Sequence, residues 1–244
     1  RTRRLASVLR DAGLGPVAQI EGAPSWVSRH DHVAHYLHNG PEYLEGMLGA
    51  WKARCAPFNV NYRYVAAELR YLLDDAGARA VIVHDSFAPI LAEVLGELEQ
   101  PPVLVLQVRD GSGNALLPGA VEYEAALAAA SPDLPDELVG SWSGDDLYLC
   151  YTGGTTGMPK GTMWRQADFL VAALGVRRRD GAEYGSIEEV VADARGTVRA
   201  LPAPPLMHGA AHWNALSAWI AGGTVIIQDV VERFDPHDVL ASGR

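Results

Sequence analysis

Short apolar runs alternate along this chain with segments of helical periodicity, and that rhythm constrains its fold more than any other feature. Ala80-Val81-Ile82-Val83 is a short, continuous apolar run rich in β-branched residues and 103–108 a second apolar run broken only by Gln107, as strands buried on both faces require. Residues 33–37 read as a further strand and 57–61 as a short extended piece. Between them, residues 42–54 place Tyr43, Leu44, Met47, Leu48 and Trp51 on one helical face, entered through the turn Asn39-Gly40-Pro41. Residues 65–76 carry Leu69, Leu72 and Leu73 inward and stop at Gly77, and 89–98 form another helix. Residues 1–13 put Leu5, Val8, Leu9 and Ala12 on one stripe of a helix. The expected class is α/β, with mostly parallel sheets flanked by helices.

The later part continues the pattern. A polar loop at 109–119 and an Ala-rich helix at 121–130 precede a Pro/Asp/Ser/Gly linker at 131–145. This divides the chain into a first α/β subdomain, 1–140, and a second, 141–244. In the second, a strand at 147–151 runs straight into a Gly/Thr loop. A strand at 161–164, a helix at 167–174, a polar insertion at 176–196, a strand at 198–201, a helix at 210–221 and a strand at 224–228 follow. Residues 234–244 open like a helix, with Asp235 as N-cap and Pro236 in its first turn. Both ends are therefore expected to belong to larger elements.

Composition narrows the function. A net charge of −10 and a pI of about 5.2 argue against a nucleic-acid surface, which needs a basic stripe to displace counterions. No apolar window is long enough for a transmembrane helix. The 2 cysteines, Cys55 and Cys150, form neither a disulfide framework nor a zinc spacing, and read as buried small hydrophobes in a reducing cytoplasm. Of the 20 basic residues only Lys52 and Lys160 are lysines.

Lys160 closes the segment Tyr151-Thr-Gly-Gly-Thr-Thr-Gly-Met-Pro-Lys-Gly161. Gly153, Gly154 and Gly157 let the backbone turn and bring N–H groups close to an anion. Thr152, Thr155 and Thr156 add hydroxyl donors. Pro159 stiffens the exit and aims Lys160, whose ammonium suits charge moving onto a phosphate leaving group. A Walker A loop is excluded, because it needs Gly-Lys-Ser/Thr and Lys160 lies between Pro159 and Gly161.

This segment resembles the signature loop of the adenylate-forming enzymes, the family of acyl-CoA synthetases, luciferases and peptide-synthetase adenylation domains, with Gly153 where Ser is usual. Residues 39–44 (Asn-Gly-Pro-Glu-Tyr-Leu), 59–63 (Asn-Val-Asn-Tyr-Arg) and Glu68-Leu69 resemble the opening region of acyl-CoA synthetases, and 203–209 (Ala-Pro-Pro-Leu-Met-His-Gly) a later family segment. Gly153 and the trailing Met163-Trp164-Arg165-Gln166 are most similar to bacterial fatty-acid or steroid-acid CoA ligases. The resemblance implies that a carboxylate attacks the α-phosphorus of ATP, with Mg2+, and that coenzyme A then displaces AMP. It implies that Thr152, Gly153, Gly154, Thr155, Thr156, Gly157 and Lys160 hold the β- and γ-phosphates, with Lys160 catalytic. His208 and Gly209 would border the acyl pocket, with Trp213. Family segments for magnesium, for the ribose and for a C-terminal catalytic lysine have no match here, so a fragment inactive alone is the expectation. A domain that loads a carrier protein and a non-catalytic nucleotide-binding remnant are the alternatives, and homo-oligomerisation is left open.

Other patterns carry less. His30, His32, His35 and His38 cannot all converge on one ion and read as strand-flanking surface or half-buried residues, so no metal site is expected. Gly13-Leu-Gly-Pro-Val-Ala18 follows a helix and contains Pro16, which fails the dinucleotide-binding context. Arg177-Arg178-Arg179 reads as a solvated loop, Lys52 as a solvated helix face, and Asp145 and Asp146 as turn or cap residues.

Overall fold

A computed structural model describes residues 1–18, 22, 24, 27–153 and 157–228. Helix α1 (Thr2–Asp11) leads to strand β1 (His32–Tyr36), α2 (Pro41–Lys52), β2 (Ala56–Asn59), α3 (Ala66–Asp75), β3 (Ala78–His84), α4 (Ala88–Leu95) and β4 (Leu104–Val108). Then come β5 (Val121–Glu122), α5 (Tyr123–Ala129), α6 (Asp136–Gly140), β6 (Leu147–Thr152) and β7 (Lys160–Arg165). The remainder is α7 (Gln166–Asp168), which widens into a π-helical turn at Phe169–Ala173, then α8 (Ile187–Asp193), β8 (Arg199–Ala200), α9 (Gly209–Ile220) and β9 (Thr224–Val225).

The first seven strands form one sheet in the order β5-β4-β3-β1-β2-β6-β7. Every pairing in it is parallel except β6 with β7, which is an antiparallel hairpin. Strands β8 and β9 pair separately, in parallel. The sheet runs across the 140/141 division, because β6 pairs with β2.

Period-two alternation builds two cores, one on each face of the sheet. On one face Val33, Ala80, Ile82, Tyr148 and Cys150 pack with Leu5, Leu9, Tyr43, Met47, Tyr123 and Ala211. On the other, Ala34, Tyr36, Val81, Val83, Leu149 and Tyr151 pack with Leu69, Leu72, Leu91 and Val94. Close approach requires glycine at two points of α2. A Cβ on Gly49 would come 2.5 Å from Leu5 Cδ2, and one on Gly46 2.5 Å from the His35 ring.

Several sequence expectations change. His35 is fully buried and His30 is 8% exposed, so neither is a surface or half-buried residue. His30 bonds Asp146, which Arg54 also holds, and His35 fills the space under α2. Asp146 does close the turn before β6, accepting from the Ser143 N–H at 3.3 Å, and is in addition a buried ionic anchor. Lys52 is half-buried, donating to Thr2 Oγ1 at 2.5 Å, and burial lowers its pKa. The linker holds α6 and the polar insertion holds α8, whose Ser186 accepts from the Glu189 N–H as N-cap. Arg177 and Arg178 pair with Glu183 and Glu189 on the surface, as a solvated loop should. Both cysteines are buried and free. Residues 234–244 lie outside the described residues. No helix among the described residues is long and apolar enough to cross a membrane.

Candidate active site

The Gly/Thr segment lies between β6 and β7. Thr152, the last residue of β6, stands opposite Lys160, the first of β7, so the hairpin ladder brings the two flanks of the segment together. Thr152, Gly153, Gly157 and Lys160 are exposed around it and Pro159 is buried beneath it. Gly154, Thr155 and Thr156 lie outside the described residues. The loop stands at the carboxyl end of β6, and in open α/β sheets the carboxyl ends of the strands are where ligands bind.

Tyr151 anchors the root of the loop. Its hydroxyl donates to Asp75 Oδ2 on α3 at 2.8 Å, and its ring packs 5.6 Å from Phe58. Its backbone is held by a side chain. Asn59, at the end of β2, accepts from the Tyr151 N–H and donates from Nδ2 to the Tyr151 carbonyl, both at 2.8 Å. The same Nδ2 donates to the Met207 carbonyl at 2.8 Å. Asn39, just after β1, accepts from the Leu206 N–H at 2.7 Å. Two asparagines thus tie the segment before His208 to the carboxyl ends of β1 and β2.

His208 is exposed at the N-cap of α9, and Gly209 opens the helix. Gly209 is confined: a Cβ there would meet the Trp213 ring at 3.3 Å and Cys150 Sγ at 3.4 Å. Trp213 makes edge contacts with Trp164 and Phe169 at centroid distances of 6.2 and 5.6 Å. Its Nε1–H donates to the Tyr148 hydroxyl at 3.1 Å. That hydroxyl also bonds His212 Nε2. His212 Nδ1 lies 2.7 Å from the Leu206 carbonyl and must carry the proton there, so Nε2 is an acceptor and Tyr148 donates to it. Burial pushes His212 down to about 4, against the raising effect of the Leu206 carbonyl, and keeps the imidazole neutral. Burial also holds the Tyr148 hydroxyl well above its usual range.

The fold therefore brings the flanks of the Gly/Thr segment and the His208–Gly209–Trp213 group to one strand, β6. Asn59, Asn39, Tyr148 and His212 carry this arrangement, and none of them announced such a role in the sequence. The usable signals were weak: a polar residue closing an apolar strand, and a histidine on the buried stripe of a helix. Among the described residues no three His, Cys, Asp or Glu side chains could hold a metal ion.

A fold of this topology, with a Gly/Thr hairpin at the carboxyl edge of its sheet, has a family counterpart. The AMP-binding enzyme model matches residues 1–242, and the chain belongs to that family. It is similar to the medium-chain acyl-CoA ligase Mig of Mycobacterium avium, 46% identical over 98% of this chain and 44% of the relative. It is also 36% identical to a 3-oxocholest-4-en-26-oate–CoA ligase of Rhodococcus rhodochrous, over 98% of this chain and 40% of that protein. The chain thus spans less than half the length of these curated relatives. Among solved structures, an anthranilate CoA ligase, AuaEII, aligns with a TM-score of 0.70 at 20% identity, covering 98% of this chain and 40% of that one. The N-terminal domain of FACL13 from Mycobacterium tuberculosis aligns at 0.64 and 24% identity, covering 98% and 50%. These likenesses establish the α/β fold.

Proposed function

We propose that the full-length protein activates a carboxylic acid with Mg·ATP and passes the acyl group to coenzyme A. A carboxylate oxygen attacks the α-phosphorus, the bond to the β-phosphate breaks, and pyrophosphate leaves. The thiol sulfur then attacks the acyl carbonyl, AMP departs, and the thiol proton goes to solvent. The observation that supports this reading best is the closure of the Gly/Thr loop by Thr152 and Lys160 beside the Asn59-bound Met207–His208 segment.

In this chain the work is positioning and charge stabilisation. Thr152, Gly153, Gly154, Thr155, Thr156 and Gly157 offer N–H and hydroxyl donors to the β- and γ-phosphates. Lys160 supplies the cation that meets charge developing on pyrophosphate. Magnesium would arrive on the nucleotide and offset the charge of its phosphates. His208, Gly209 and Trp213 form one wall of the acyl pocket. The relatives named for medium-chain and steroid acids favour a fatty or steroid-type substrate, and the two free, buried cysteines suit a reducing cytoplasm.

Carboxylate-dependent ATP–pyrophosphate exchange on the full-length gene product tests the proposal, with fatty, aryl and steroid acids in separate arms. Exchange with a fatty or steroid acid, followed by CoA thioester formation, supports it. Exchange followed by transfer only to a carrier protein favours the carrier-loading alternative. Absence of exchange with every acid overturns the ligase reading.

A further inference from the structure

We propose that Asn59 is a positioning residue that holds the phosphate loop and the acyl-side segment in mutual register for adenylate formation. The inference rests on the ligase reading above and adds a residue that the reading does not use.

Three observations carry it. First, Asn59 is 7% exposed and its amide is committed within the protein. Oδ1 accepts from the Tyr151 N–H, and Nδ2 donates to the carbonyls of Tyr151 and Met207, all at 2.8 Å. Second, its partners are the residues immediately before Thr152 and His208, so one planar amide sets the spacing of two segments far apart in sequence. Third, the main chain provides little substitute. The β2–β6 ladder has a single registered pair, Phe58 with Leu149, and stops short of Tyr151. The Asn59 side chain takes over the role of a strand neighbour there, satisfying both the N–H and the C=O of Tyr151.

The chemistry explains why register matters. The carboxylate must lie in line with the α-phosphorus while its leaving group is held by the loop. Each segment keeps other anchors: Tyr151 through Asp75 and the β7 ladder, Leu206 through Asn39 and His212. Loss of Asn59 therefore leaves each substrate's binding surface largely in place and misaligns one against the other.

The test is Asn59→Asp in the full-length protein. The change keeps size and shape but sets a carboxylate oxygen against two carbonyls that need donors. Asn59→Ala is the second variant, removing the three bonds without adding charge. Three quantities are read: kcat and KM for ATP–pyrophosphate exchange with the best carboxylate, the melting temperature, and CoA thioester formation from a synthetic acyl-adenylate. The expected result is a fall of about thirtyfold or more in exchange kcat, with KM for ATP and acid and the thioester step each within about threefold of wild type, as a misalignment of reactants predicts. Equal loss in both half-reactions, or loss of folded protein in both variants, makes Asn59 a stability residue and overturns the proposal. Unchanged exchange kcat overturns it too. A wild-type protein that exchanges with no carboxylate overturns the ligase reading and this inference with it, which separates the two failures.

Discussion

The ring of Tyr151 occupies the space that a side chain on Gly161 would need: a Cβ there would lie 2.6 Å from the ring's Cζ. The two residues face each other across the β6–β7 ladder, one register step from Thr152 and Lys160. Glycine after the loop lysine is thus a packing requirement, and it lets Tyr151 lie across the hairpin and reach Asp75. Gly161→Ala is expected to destabilise the protein by roughly 1–3 kcal/mol through overpacking and to slow pyrophosphate exchange. Tyr151→Phe loses only the hydroxyl bond, for about 1 kcal/mol, and keeps exchange. Denaturant melts and exchange assays on both variants check the contrast. A Gly161→Ala protein as stable and active as wild type would contradict it.

Acid sensitivity follows from two buried histidines. His35 and His212 are each pushed down to about 4, chiefly by burial, with backbone carbonyls opposing the shift. The usual value is 6.5, so on acidification the unfolded chain takes up these protons first. The stability they confer is complete above about pH 6.5 and is lost as pH falls toward 4, on the order of 3 kcal/mol per histidine. Melting curves across this range should show the loss, and His212→Gln should reduce its slope. A slope unchanged by that substitution would count against a neutral, buried His212.

Arg54 and Asp146 predict an asymmetry. Arg54 has φ of 59°, the only positive φ at a described non-glycine residue, and its guanidinium holds Asp146 at 2.7 Å. The Asp146 side chain is 3% exposed and that of Arg54 is 21% exposed. Burial raises the Asp146 carboxyl more than any one contact lowers it, but the hydrogen bonds and charges of His30 and Arg54 together hold it below its usual range. Arg54→Ala leaves the buried carboxylate with only its contacts to His30 and the Ser143 N–H, and is expected to cost roughly 2–4 kcal/mol. Asp146→Asn leaves a cation that can reach solvent and costs less. Chemical denaturation of both variants tests the order, and a larger loss for Asp146→Asn would reverse the argument.

What could be read from the sequence depended on the range of the interactions. Strands β3, β4 and β6 were legible because burial on both faces leaves mainly apolar runs, and α2 and α3 because their stripes repeat at helical spacing. The loop and Lys160 were legible because glycine, threonine, proline and lysine stand in one local order. Asn59 was not, since its partners lie 92 and 148 positions away and an asparagine closing a strand looks like any turn residue. The burial of His35 and the ionic partners of Asp146 were missed for the same reason. A polar residue's burial is decided by elements such as α2, or by a side chain such as Arg54, that no local pattern connects to it.

The role of the loop is tested most directly by Lys160→Ala in the full-length protein, with the two half-reactions measured apart. Lys160 is exposed at the start of β7, opposite Thr152, and bears little of the packing. The account predicts that carboxylate-dependent pyrophosphate exchange falls by about a hundredfold, as loss of a charge-stabilising cation does, while thioester formation from a supplied acyl-adenylate and CoA changes little. Equal loss in both steps, or exchange that survives unchanged, would contradict it.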